Sequence, residues 1–112
     1  METRTALPLE VTNAVKQLGA NLRLARVRRR MSQNELAEAC KITRKTLYAL
    51  ESGTSGTTTM ATVFAVLWTL GLLGTANAIA DPDADEHGKI LEAARRSKRV
   101  RPSTDNDNDN DF

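Results

Sequence analysis

The segment Thr43–Gly53, TRKTLYALESG, carries Arg44, Lys45 and Tyr48 close to its start. A helix that only fills a core needs neither two long cations nor an exposed aromatic there. A helix that enters a groove of nucleic acid does, because arginine or lysine can donate to O6 and N7 of guanine. Tyr48 or Ala49 would meet a thymine methyl or a sugar. Other chemistries lack their residues. The chain has one histidine, His87, and one cysteine, Cys40. No Cys/His spacing suggests zinc, and there is no nucleophile–base set or phosphate loop. No enzyme activity, metal or other cofactor is expected. The run DNDNDND lacks the central glycine and closing glutamate of a calcium loop, and reads as a solvated acidic tail.

The flanking sequence supplies the elements that must position these side chains. Thr43 is the N-cap of their helix, Leu47 and Leu50 its inward anchors, and Gly53 its stop. Before it, Ser-Gln-Asn-Glu from Ser32 to Glu35 is a capping box. Leu36, Ala37 and Cys40 give that helix an apolar side, with Cys40 read as a small buried hydrophobe. Lys41 and Ile42 make the turn between the two. Upstream, Pro8 suits a first helical turn. Val11, Val15, Leu18, Leu22 and Ala25 then recur at helical spacing, which predicts one long helix from Leu9 to Arg29. Gly19 interrupts it at a cost of about 1 kcal/mol relative to alanine. Its end is rich in arginine, which suits the negative pole of the helix dipole.

Downstream, SGTSGTTT is a loop, and one of Thr57, Thr58 or Thr59 caps a fourth helix, MATVFAVLWTLG. Met60, Val63, Phe64, Leu67 and Leu70 share its apolar face. Val66 and Trp68 widen the arc to about 200°, more than one packed face requires. They read either as core or as a dimer or partner interface. Gly71 and Gly74 punctuate a short fifth helix that Pro82 breaks. DADEHGKILEAARR is a candidate sixth helix, weakened by Gly88, and the rest reads as disordered.

Composition agrees with packed helices. The 112 residues are 40% hydrophobic but only 4% aromatic, which disfavours a sheet sandwich. A single cysteine permits no internal disulfide, and a reducing, cytoplasmic setting is expected. The N-terminus has acids and no apolar signal core, and no apolar run approaches the ~18 residues of a membrane span. Charge is segregated. Setting aside the four Asp of the tail raises the net +2 of the whole chain to +6 on the rest. A basic body with an acidic appendage is expected of a nucleic-acid binder.

From Leu18 to Leu73 the order LRLAR, MSQNELAEACKITRKTLYALESG, then a threonine-capped apolar helix ending in LGLL, resembles the Cro/cI (XRE-like) helix-turn-helix family. The resemblance implies that Arg44, Lys45 and Tyr48 contact bases. It implies that Ser32, Gln33, Thr43, Thr46, Ser52, Thr54 and Ser55 contact phosphates. Arg26 and Glu51 match a pair that ties helix one to helix three. Two departures stand out: Lys41 occupies a turn position where the family often has glycine, and Ala49 occupies a third reading position. The whole chain to about Arg101 also resembles HipB-like antitoxins, on LGANLRLARVRRRMSQNELAE, VLWTLGLLG, IADPDADEHG and EAARRSKRVR.

The expected fold is all-α: a five-helix helix-turn-helix bundle, a candidate sixth helix and a disordered acidic C-terminal tail. Residues 1–17 would extend the first helix, 18–80 form the DNA-binding domain, 81–101 a basic helical segment and 102–112 the tail. The expected function is a homodimeric, sequence-specific repressor of a palindromic double-stranded DNA operator. The second resemblance adds an antitoxin role with a HipA-type kinase toxin as partner. The alternative is a stand-alone regulator without a toxin.

Overall fold

Hydroxyl caps set where three of the helices begin. In the computed structural model, which describes residues 7–54 and 57–99, α1 spans Leu9–Arg28, α2 Gln33–Cys40, α3 Arg44–Ser52, α4 Met60–Thr69 and α5 Glu86–Arg99. Two 3-10 segments, Leu73–Ala78 and Pro82–Ala84, lie between α4 and α5. No strand occurs among the described residues. Ser32 Oγ accepts from the Glu35 N–H at 3.0 Å, and Glu35 Oε1 accepts from the Ser32 N–H at 2.7 Å, which completes the capping box of α2. Thr43 and Thr59 do the same for α3 and α4, accepting from the N–H groups of Thr46 and Thr62.

The first four helices also end alike. Each is followed by a residue in the left-handed region: Arg30 (φ 56°), Lys41 (φ 61°), Gly53 (φ 75°) and Gly71 (φ 77°). The next residue then donates to a carbonyl five positions back. These bonds are Met31 to Arg26, Ile42 to Ala37, Thr54 to Ala49 and Leu72 to Leu67, at 3.2, 3.0, 3.0 and 2.7 Å. Met31, Ile42 and Leu72 fold back against the core, so the reversal also buries an apolar side chain. Lysine therefore does take the left-handed conformation at the α2–α3 turn. That costs about 1–2 kcal/mol at a residue with a Cβ, partly offset by a cation beside the helix C-terminus.

The core is Leu22 and Ala25 of α1, Leu36 and Ala37 of α2, Leu47 and Leu50 of α3, and Val66, Leu67 and Leu70 at and beyond α4. α3 packs on α1 and α2, and α2 packs on α4. Gly19 is a requirement of this packing rather than an interruption. A Cβ there would strike the backbone carbonyl oxygen of Leu50 and lie 2.7 Å from that of Glu51. Gly53 likewise faces Lys16, whose Cα would stand 2.7 Å from an added Cβ. The two glycines let α1 lie directly on the backbone at the end of α3.

Several expectations are corrected. Val66 is fully buried and cannot be a dimer or partner interface residue; the inward face of α4 centres on Val66, Leu67 and Leu70. Met60, in the first turn, is exposed, and Val63 and Phe64 are only half-buried. Cys40 is also half-buried, with its Sγ 3.3 Å from Thr69 Oγ1. The fifth helix is the 3-10 segment Leu73–Ala78, which has no buried residue to hold a longer helical turn. Val11 of α1 is exposed. The acidic tail lies outside the described residues.

The chain divides into two compact units, Met1–Ala76 and Asn77–Phe112. In the second, Asp81 Oδ1 accepts from the Asp83 N–H, and Asp85 Oδ1 accepts from the Gly88 N–H at 2.9 Å. Asp85 thus opens α5 with a side-chain cap, and Gly88 leaves room for it, since a Cβ would run into that carboxylate. No helix among the described residues is long and apolar enough to cross a membrane.

Two glycine exchanges have opposite expected signs. Gly19→Ala forces α1 off α3 and should destabilise by about 1–3 kcal/mol, the usual cost of overpacking. Lys41→Gly removes the left-handed strain and should stabilise by about 0.5 kcal/mol after the flexible glycine and the lost cation are counted. Urea unfolding midpoints measure both. A Gly19→Ala protein as stable as the parent would contradict the close approach of α1 and α3.

Candidate nucleic-acid interface

α3 has nine residues and, with side chains, a diameter of about 10–12 Å, which matches the ~12 Å width of the major groove. Its inward side is Leu47, Leu50 and Glu51, all buried. Arg44, Lys45 and Tyr48 are exposed, with Tyr48 59% accessible. Ala49 and Thr46 are half-buried at the edge. The N-terminal, outward part of α3 therefore presents two cations and a phenol. Their placement follows from the two leucines one turn apart, which fix the rotation of α3 about its axis.

What fixes its tilt is a buried ion pair. Arg26 and Glu51 are 8% and 6% exposed. Arg26 Nε donates to Glu51 Oε2 at 2.7 Å and Nη2 donates to Oε1 at 3.0 Å. This bidentate fork constrains direction as well as distance. Arg26 Nη1 donates to the Met31 carbonyl oxygen at 2.8 Å, and Gln33 Nε2 donates to Glu51 Oε1 at 3.1 Å. The hydrogen bond and charge of Glu51 hold the Arg26 guanidinium above its ordinary pKa, against the opposing effect of burial. Glu51 lies in the last turn of α3, where the helix dipole disfavours a carboxylate. Arg26 and Gln33 offset that from α1 and α2, so one carboxylate joins three helices.

The residues matched to phosphate contacts fall into two groups. Ser32 and Gln33 open α2, while Ser52 closes α3 and Thr54 follows it, with their hydroxyl oxygens 3.0 Å apart. The Gln33–Glu51 bond brings these two pairs toward one neighbourhood. Thr43 and Thr46 sit at the other end of α3, where the Thr43 hydroxyl donates to Thr46 Oγ1 at 2.9 Å. Ser55 lies outside the described residues. One amide hydrogen of Gln33 is committed to Glu51, which leaves the other hydrogen and Oε1 for a ligand. Sequence reading missed this link because 18 residues separate the partners and no local pattern marks it. It also missed the Arg29 guanidinium, which donates to the Ala25 carbonyl oxygen at 2.8 Å at the end of α1.

On α4, Trp68 is 69% exposed, while Phe64, one turn before it, is half-buried. α4 contains no charged residue. A large indole on an uncharged helix face is a surface that water covers poorly. Among the described residues no group of three or more His, Cys, Asp and Glu could hold a metal ion.

Removing Glu51 tests the buried fork. Glu51→Ala leaves the Arg26 guanidinium buried without a counter-charge and should cost about 3–5 kcal/mol of stability. In a double-mutant cycle with Arg26→Ala the two losses should be strongly non-additive. Additive losses would show that the pair contributes no coupling.

Comparison with known proteins adds one finding. No curated protein and no solved structure matches the chain significantly. The model of the helix-turn-helix domain family matches residues 17–76. That range begins in the middle of α1 and closes within the 3-10 segment after α4, so it holds the Arg26–Glu51 fork and all of α2 and α3. By this match, which spans more than half of its length, the chain belongs to the helix-turn-helix domain family.

Proposed function

We propose that this DNA-binding regulator is a sequence-specific transcriptional repressor that works in the cytoplasm as a homodimer and not as an enzyme. The observation that carries the reading is the exposed trio Arg44, Lys45 and Tyr48 on the outer start of α3, held by a buried fork that fixes the angle of that helix. In the binding mode proposed, the N-terminal residues of α3 meet base edges in the major groove. Arg44 and Lys45 supply the polar readout, since Ala49 cannot hydrogen-bond. Ser32, Gln33, Thr43, Thr46, Ser52 and Thr54 hold the backbone on either side. One motif buries little DNA, so two copies on a two-fold axis would read a palindromic site. Trp68 and the uncharged outer side of α4 are the surface proposed to join them.

The second part of the proposal is an antitoxin role: the dimer would repress its own operon and neutralise a HipA-type kinase toxin. The support is the resemblance of the segments around Ile79–Gly88 and Glu92–Arg101 to HipB-like antitoxins. Both lie beyond the matched residues 17–76. A stand-alone regulator is the alternative. Co-purification with the product of the neighbouring gene separates the two, and a neighbour unrelated to such kinases would remove the antitoxin role.

Selection from a random duplex library should enrich one palindromic sequence; failure to enrich any would remove sequence-specific binding. On the selected duplex Arg44→Ala should cost about 1–3 kcal/mol, and clearly less on random duplex. Equal losses would make Arg44 a phosphate contact. Sedimentation at micromolar concentration should give a mass near twice 12.3 kDa, and Trp68→Glu should reduce it toward one chain. An unchanged mass for Trp68→Glu would move the interface off α4.

A further inference from the structure

α5 is a 14-residue helix in which every residue from Ile90 to Lys98 is exposed. Isolated helices of that length are marginal in water, and most gain their stability by covering an amphipathic face. Such a face is present. His87, Ile90, Leu91 and Ala94 recur at three- and four-residue spacing and share one side, with Ile90 and Leu91 66% and 55% exposed. The charges are divided by position along the helix. Asp81, Asp83, Asp85 and Glu86 cluster at its start, while Arg95, Arg96 and Lys98 crowd its end.

We propose that α5 pairs with α5 of a second copy of this chain, antiparallel, about a two-fold axis midway between Ile90 and Leu91. That axis is set by the pattern itself. It places Ile90 against Leu91 of the second copy and His87 against Ala94, with the reverse, so the apolar patch covers itself at the centre. It brings the acidic start of each helix to the basic end of the other and opposes the two helix dipoles. A parallel pair would set acid against acid and base against base. Neither Arg95 nor Lys98 has an ion-pair partner among the described residues, so both are free to meet the acids of the other copy. Internal bonds already hold the helix start, where Lys89 Nζ donates to the Asp83 carbonyl oxygen at 2.6 Å. An isologous contact of this kind belongs to the same closed dimer when it lies on that dimer's two-fold axis. Its apolar patch is too small to hold two chains alone, so it rests on the homodimer proposed above and adds a second contact to it.

Cysteine cross-linking reads the orientation. Cys40→Ala is the common background, with His87→Cys in one chain and Ala94→Cys in the other. The axis sets these positions opposite each other, whereas the 87–87 and 94–94 pairs lie about 10 Å apart along the helix, beyond the reach of a disulfide. In an equimolar mixture under mild oxidation, the mixed disulfide should be nearly the whole dimeric product, against about half for random pairing. Adding Arg95→Glu and Lys98→Glu to both chains should return the product toward random pairing. A mixed fraction at or below half, or no disulfide in a sample that sediments as a dimer, overturns the α5 pairing while leaving the dimer intact. A sample that sediments as a monomer overturns both.

Discussion

One buried carboxylate organises the DNA-binding unit. Glu51 is inside the protein, at the unfavourable end of a helix dipole, and is tolerable only because Arg26 and Gln33 reach it from two other helices. Such a group is poor evidence for stability, since an apolar replacement of similar shape can hold a core as well. Its value is directional. Leucines in contact can slide and repack, but a fork of two short parallel hydrogen bonds admits one arrangement of α1 relative to α3. The exposed side chains at the start of α3 inherit that arrangement.

The backbone contacts around the fork serve the same end. Gly19 and Gly53 let α1 lie against the last turn of α3 with no side chain between them. The Arg26 side chain then spans a short gap and reaches both carboxylate oxygens of Glu51. The four left-handed helix ends make the intervening turns brief, and three of them return an apolar residue to the core. Glycine occupies two of those ends and a cation the other two. At Arg30 and Lys41 the strain of a Cβ is set against attraction to the helix dipole, and both keep a positive charge on the surface.

The outside of the molecule is less economical with apolar surface than its small core would suggest. Trp68 on α4 and the Ile90–Leu91 pair on α5 are open to solvent, and neither is needed to complete the core formed by α1 to α4. α4 carries no charged residue, and the apolar side of α5 is free of charge from Ile90 to Ala94. In the binding mode proposed, DNA recognition uses none of these residues, and they are the surfaces proposed for association. Base and phosphate candidates lie between Ser32 and Ser55, whereas Trp68, Ile90 and Leu91 lie after that span.

Local rules were legible in the sequence. The capping box of Ser32 and Glu35, the cap at Thr43 and the stop at Gly53 depend on residues within one turn of each other, so sequence spacing decides them, whereas three successive threonines left the cap of α4 open until the structure picked Thr59. The inward placement of Leu47 and Leu50, and with it the outward placement of Arg44, Lys45 and Tyr48, follows from helical periodicity alone. The Arg26–Glu51 pair was suggested only by family resemblance, because 25 residues separate the partners. Tertiary structure alone decided the rest. Gly19 looks like a helix defect until the carbonyl groups of Leu50 and Glu51 are seen against it. Val66 looks like the margin of an apolar arc until the other helices choose which part of that arc to cover. Gln33 looks like a free polar side chain until Glu51 is brought to it. Periodicity determines which residues share a face of a helix, but only packing determines which face is used and how closely two backbones meet.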